Sequence, residues 1–293
     1  MYQPAAVASL AIGLAALLLG QPGSRPTVVP AYEDLRRFAE AVERSPGLRA
    51  TLHRELIGAP RPRECGPGLG SFVPLSADLS AAEAVAILRD IETARVRQTV
   101  EAALAAASTM LPGAAPIVCL QAVGKNRAIE LLHGVGGASF GGRIKIFLHP
   151  TEHKFAKLAY TAAHEYHHEV ARRWLQPGWT ADPLEAMIAE GKADAFAVRL
   201  YPRLRPAHTD PLSADEWRAA WAMFQKSRAQ PAPAFRQEFM FGLAPGMPRW
   251  AGYRLGFQIV QAYLATRPEL PPAAWTAIPA AEVLAAYERR RNP

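Results

Sequence analysis

Apolar side chains recur every three to four positions across residues 32–57 and 80–109, with charged residues on the turns between them. That spacing gives each segment one apolar stripe and predicts two or three amphipathic helices. The stretch between them, 58–74, carries Pro-Arg-Pro and Gly-Pro-Gly and is expected to be a loop, because proline and glycine both oppose regular structure. A similar Gly- and Pro-bearing stretch, 23–30, is expected to be a linker. Past Pro112 the texture changes. Residues 116–123 are rich in β-forming side chains, 134–142 are dense in glycine, and 143–148 alternate charged and apolar positions before Phe147 and Leu148. These are expected to be strands joined by loops. Helical spacing then returns in blocks at 151–175, 183–201, 214–228, 250–266 and 280–291. The pattern predicts an α+β chain, mostly helical, in which a small sheet precedes the helix starting at 151.

That helix carries His164-Glu165-Tyr166-His167-His168. Histidines four apart share one helix face, so both imidazoles can reach one metal ion while the glutamate, turned by about 100°, stands beside it. Phe155, Leu158, Ala159, Ala162, Tyr166 and Val170 form the apolar stripe on the opposite side. The histidine face is flanked by Tyr160, Thr161, Ala171 and Leu175, not by Lys and Glu, and is expected to be partly covered. His167 is a rival ligand, since positions three apart also share a face.

The next helical block begins well. Asp182 is an N-cap, Pro183 occupies the first position and Glu185 the third, a favourable start for a helix, and Pro202 ends it. On this wheel Glu190 and Asp194 sit in the middle of the face made by Pro183, Ala186, Met187, Ala193, Ala197 and Tyr201, while Lys192 and Arg199 point away. Carboxylates on an apolar face need a cation, because a buried unpaired charge costs several kcal/mol. Zinc is one such cation: His164, His168 and Glu190 form a three-ligand set that leaves a position for water, and Asp194 is placed to accept the free ring N–H of a ligand histidine, His164 first. A salt bridge from Glu190 or Asp194 to an arginine is the alternative. Gly191 fits a place where two helices approach closely.

Composition adds limits. With 293 residues, half of them hydrophobic, the chain can bury a large core and is not disordered. The formal charge of +7 comes from scattered Arg and Lys, with Arg289-Arg290-Arg291 the only tight run, and basic residues are not interleaved with aromatics, so nucleic-acid binding is not expected. Residues 5–20 are apolar and almost uncharged, short for a membrane span but suited to an export signal. Three regions are expected: 1–24 as a signal-like or anchor segment, 25–112 as an N-terminal helical region, and 113–293 as the catalytic domain. An exported location follows, with membrane contact only through the N-terminal segment. Cys65 and Cys119 are the only two cysteines; they either bridge in an oxidising compartment or serve as two separate core residues.

The HEYHH run, the later Glu190-Gly191-x-Ala193-Asp194 and then Gly252-Tyr253-Arg254-Leu255-Gly256-Phe257-Gln258-Ile259-Val260 together resemble the family of zinc-dependent proteases known as domain of unknown function 2268, whose members resemble gluzincins. The likeness covers roughly the C-terminal two thirds. It implies a zincin-like catalytic domain with a small mixed β-sheet packed on the HExxH helix, followed by a helix carrying the third ligand. It further implies His164, His168 and Glu190 as ligands of Zn2+, in favour of His168 over His167, with Glu165 as catalytic acid/base and a peptide or protein as substrate.

Hydrolysis of a peptide also needs a donor for the oxyanion. Tyr253, Arg254, Tyr160 and His153 are the candidates, with Tyr253 preferred as a catalytic residue; a buried aromatic is the plainer role for it. The strand at 143–148 is a candidate sheet edge for an extended peptide. Two other readings compete. Gly137-Ala138-Ser139-Phe140-Gly141 matches the G-x-S-x-G elbow of serine hydrolases, but that motif needs a strand, a turn and then a helix, whereas a strand-like segment follows here. A structural zinc site or a non-catalytic scaffold is the third reading, opposed by the lack of a fourth Cys or His at a suitable spacing.

Overall fold

A computed structural model describes residues 25–58, 63–66, 72–175, 178–230 and 234–291. The apolar N-terminal segment and parts of the 58–74 loop lie outside the described residues. In chain order the elements are β1 Thr27–Val29, α1 Asp34–Arg44, α2 Arg49–His53, α3 Ala81–Thr93, α4 Val96–Met110, β2 Ile117–Ala122, α5 Arg127–Leu131, β3 Val135–Phe140, β4 Arg143–Leu148, α6 Leu158–Ala171, α7 Pro183–Leu200, α8 Ala214–Ala229, α9 Ala251–Leu264, α10 Pro272–Ala277 and α11 Ala280–Arg291. The class is α+β and mostly helical, with a small mixed sheet. Among the described residues no helix is long and apolar enough to cross a membrane.

The sheet has the order β1-β2-β4-β3. β1 and β2 pair in parallel, as do β2 and β4, whereas β3 and β4 form an antiparallel hairpin. Gly141 and Gly142 make its two-residue turn with φ of +56° and +82°, left-handed values that glycine adopts without steric cost. Two expectations change here. The supposed linker at 23–30 contains β1, whose three residues join the sheet through Ile117, Val118 and Cys119. The strand at 143–148 is not an edge: β4 is held between β2 and β3, and among the described residues β3 is the outer strand on that side.

The 25–112 region and the remainder share this sheet and one core. Tyr32, Leu88, Ile91, Val100, Leu104 and Leu111 are buried with Val118, Ile146, Tyr166 and Phe196 in a single apolar cluster, and Cys65 is disulfide-bonded to Cys119 on β2. The disulfide closes a loop spanning 54 positions, which in the chain-entropy account restricts the unfolded state by about 4 kcal/mol. The 80–109 segment is divided into α3 and α4 at Arg95, whose φ is +50°. Ser80 and Glu83 start α3 with a reciprocal capping box.

α6 packs on α4, on α7 and on β3 and β4, so every residue from Ala162 to Ala171 is buried. The expected start at residue 151 is wrong by about two turns. Lys154 and Phe155 adopt φ of +45° and +58°, which breaks helical continuity, so Phe155 reaches the core from a turn. α7 is buried from Pro183 to Ala197 except at half-exposed Glu185. Asp182 caps it by accepting from the Leu184 and Glu185 amides at 2.8 and 2.9 Å. Lys192, expected to face outward, is buried instead because α10 and the turn after it cover that side. Its amine donates to the carbonyls of Thr276, at 3.0 Å, and Ile278.

Backbone crowding between α7 and α9 explains the glycines. A Cβ on Gly191 would lie 2.4 Å from the Gly256 carbonyl, and one on Gly256 would lie 2.1 Å from the Met187 carbonyl oxygen. Contacts under 3.0 Å on rigid backbone cannot be relieved by a rotamer change. Gly256→Ala is therefore expected to lower the unfolding free energy by about 3 kcal/mol in urea titration; an unchanged midpoint would contradict this helix contact. A second expectation concerns pH. Burial holds the Lys192 amine down at about 8, below its ordinary 10.5. The folded chain thus releases this proton more readily than the unfolded chain, and stability rises with pH through that window. Unfolding free energy at pH 10 should exceed that at pH 8 by about 2 kcal/mol from this group, and Lys192→Met should flatten the difference.

Candidate metal centre

α6 and α7 bring His164, His168 and Glu190 together: one ligand atom from each lies within 4.8 Å of the others, and all three residues are buried. The two Nε2 atoms are 3.1 Å apart, and each is 3.2 Å from Glu190 Oε2. His164 donates its Nδ1 proton to Asp194 Oδ1 at 2.8 Å. In the neutral form that a metal ligand must take, Nε2 then carries only a lone pair. Nε2 faces a carboxylate oxygen and a second imidazole nitrogen, so a cation, either a proton on the imidazole or a metal ion, has to stand among them. The triangle also has the right size, because donor atoms about 2.1 Å from a tetrahedral zinc lie about 3.3 Å from one another. These residues fit a metal ion.

Asp194 is the anchor of the site. Its side chain is fully buried, and Oδ1 accepts from His164, from the Tyr160 hydroxyl at 2.8 Å and from His208 Nε2 at 3.2 Å. Burial would raise its pKa, but the His208 and His164 contacts outweigh that and hold the carboxyl well below the usual carboxylate range. The same balance holds Glu190 well down, its burial being overcome by His168 and His164. For His164 burial works against charge, yet the Asp194 carboxylate lifts it well above the ordinary imidazole value. In each case opposite charge at hydrogen-bond distance outweighs desolvation. The arginine alternative is met only at long range: Arg236 Nη2 is 3.9 Å from Glu190 Oε1, beyond hydrogen-bond reach, and Asp194's hydrogen-bond partners include no arginine among the described residues.

Glu165 lies beside the triad and packs against β3. A Cβ on Gly137 would sit 2.5 Å from Glu165 Oε1, so glycine in this outer strand makes the space for the carboxylate. Burial raises the Glu165 pKa, with the charge of Glu190 adding to it and the two site histidines opposing. A carboxyl shifted upward in this way is a stronger proton acceptor than an ordinary one, as a general base needs. His167 faces away. It contacts Thr276 Oγ1 at 3.1 Å and stacks on Trp275 with ring centroids 5.5 Å apart, and burial holds it well below its ordinary pKa.

The four candidate donors separate cleanly. Tyr160 is committed to Asp194. Arg254 forks onto Glu216 at 3.0 and 3.1 Å. His153 is exposed and stacked on His133, with centroids 4.0 Å apart. Tyr253, on the first turn of α9, stays near the site: its ring lies 5.5 Å from that of His208, and burial and the Glu190 charge raise its pKa well above the ordinary value, so the hydroxyl keeps its proton. His208 and Arg236 are members that the pattern did not suggest. Both come from short helical turns, Ala207–Thr209 and Arg236–Met240, too brief for a spacing in the sequence to point to a shared face. Gly137 did carry a signal, since glycine inside a strand often marks a close approach. Ser139, in the body of β3, leads into β4 and not into a helix, so the serine elbow is absent.

The family model described as predicted Zn-dependent protease (DUF2268) matches residues 96–285. The chain belongs to that family. The part matched to the predicted Zn-dependent proteases begins at α4 and ends within α11, so it contains every residue of the centre, while β1 and α1 to α3 precede it. No curated protein and no solved structure matches the chain. As a test of the centre in this family member, Asp194→Ala is expected to weaken zinc affinity by about 10- to 100-fold, measured by competition with a fluorescent chelator. Unchanged affinity would remove Asp194 from the support of the site.

Proposed function

We propose that this chain is a zinc metallopeptidase of the gluzincin type, with a zincin-like domain, that hydrolyses peptide bonds in a peptide or protein substrate. The observation that carries the reading is the convergence of His164, His168 and Glu190 within 4.8 Å on two buried helices, with a buried glutamate next in sequence to the first histidine. His164, His168 and Glu190 are the ligands, and Asp194 orients His164 through its Nδ1 proton. Zinc bound there supplies a Lewis acid that brings a water pKa down toward about 7 and polarises the scissile carbonyl. Glu165 takes the proton from the attacking water and passes it to the leaving amine. Three ligands leave a position open, which suits catalysis better than a closed structural site.

The outer strand β3 supports the substrate class. It offers main-chain groups beside Gly137, where an extended peptide adding to the sheet would lie against Glu165. The Cys65–Cys119 disulfide supports export, together with the apolar stretch at 5–20, because such bonds persist in oxidising compartments.

Glu165→Gln tests the reading. The variant is expected to retain about one zinc per chain by metal analysis, while cleavage of an unfolded protein falls by at least about a hundredfold. Equal cleavage by both forms would sink the assignment. Chelator treatment should abolish cleavage by the wild type, and added zinc should restore it.

A further inference from the structure

The side chain of Arg236 is a cation beside the ligand Glu190 that nothing in the reading above uses. It opens the turn Arg236–Met240 between α8 and α9 and reaches Glu190 only at 3.9 Å through Nη2. Its Nη1 is buried with no hydrogen-bond partner, and no hydrogen bond from its guanidinium to another described residue is formed. A buried guanidinium nitrogen without an acceptor is costly. Such a cost is understandable where the missing acceptor arrives with a ligand. The Tyr253 hydroxyl, close enough for its titration to respond to both Glu190 and Arg236, likewise has no hydrogen-bond partner among the described residues.

We propose that Arg236 is a catalytic residue, the cationic donor to the oxyanion that forms when water adds to the scissile carbonyl, with Tyr253 as its neutral companion. This rests on the peptidase reading. As the water oxygen bonds to the carbonyl carbon, the π pair moves onto the carbonyl oxygen and the water proton goes to Glu165. The C–N bond then breaks as that pair returns and the proton passes to the amine nitrogen. Negative charge therefore leaves Glu165 and appears on the substrate oxygen during the step, and a cation near Glu190 gains attraction as it does so. A donor of this kind stabilises the transition state more than the ground state. A carboxylate of the substrate is a poorer match for the same arginine, since it would be set against Glu190 and Glu165 before either is neutralised.

The test uses the zinc-loaded full chain, Arg236→Met and Arg236→Lys. Zinc content and thermal stability are recorded first, followed by steady-state cleavage of an unfolded protein and of peptides with free and amidated C-termini. Calorimetric affinity for a phosphinic tripeptide, whose tetrahedral oxygens resemble the oxyanion, and for inorganic phosphate completes the set. The proposal expects Arg236→Met to keep its zinc, to lose about 100- to 1,000-fold in kcat with KM within about threefold, and to bind the phosphinic peptide and phosphate more weakly by a comparable trend. Arg236→Lys should recover part of each loss. A rise in KM confined to peptides with a free C-terminus would overturn it in favour of carboxylate selection. Loss of zinc in Arg236→Met would overturn it in favour of support for Glu190. Were the wild type to cleave nothing, the peptidase reading would fail by itself, and equal phosphate affinity in wild type and Arg236→Met would overturn the anion role separately.

Discussion

The hydrogen bond from His164 Nδ1 to Asp194 Oδ1, 2.8 Å long and fully buried, joins the two helices on which the centre depends. A carboxylate placed at zero exposure would cost several kcal/mol if left alone. Asp194 is instead met by three donors from two separate pieces of chain, α6 through His164 and Tyr160, and the 207–209 turn through His208. Because His164 directs Nδ1 to Asp194, its other nitrogen is the one aimed at Glu190 and His168, where it can bind a metal ion once it is unprotonated. One buried contact thereby fixes both the crossing of α6 on α7 and the chemical character of the space between them.

That crossing is possible only because the opposite side of α7 is equally constrained. Gly191 is the residue next to Glu190, and its missing side chain lets the α9 backbone at Gly256 approach directly. Glycine in a helix interior costs about 1 kcal/mol relative to alanine, and here two are spent at one contact. The gain is geometric: α9 comes near enough to bring Tyr253 toward Glu190. A larger residue at either place would move the donor and the ligand apart by the width of a methyl group. The stability of α7 and the shape of the centre are therefore the same packing problem.

Much of this was legible in the chain. Period and capping located α7, α8 and α11 to within a residue, and the wheel of α7 placed Glu190 and Asp194 on the face that meets the histidines. The reason is physical: buried carboxylates in an apolar stripe leave few ways to be satisfied, so the pattern restricts the answer. The start of α6 was not legible, since two left-handed residues at Lys154 and Phe155 interrupt a spacing that continues across them. β1 was hidden because three residues carry too little alternation to register. Lys192 misled because a helix wheel shows where a side chain points and not whether another element will cover it. His208 and Arg236 arrive from turns, where tertiary closure alone decides their neighbours.

The sheet's contribution is easiest to see at Gly137. A strand next to a reactive carboxylate has two demands on it, to stay paired on one side and to leave room on the face toward α6. β3 meets the first by pairing with β4 along its length, closed by a glycine turn at Gly141 and Gly142, and it meets the second by having no side chain where Glu165 lies. The turn is fastened in its own right, since Gly142 donates its amide to Glu169 Oε2 at 2.8 Å, one turn along α6 from Glu165. Strand and helix are thus tied at Glu169 and pressed together at Gly137. A carboxylate confined between two such contacts has little freedom to swing away from the histidines, so the glycine-dense stretch serves in the fold to hold the acid in place.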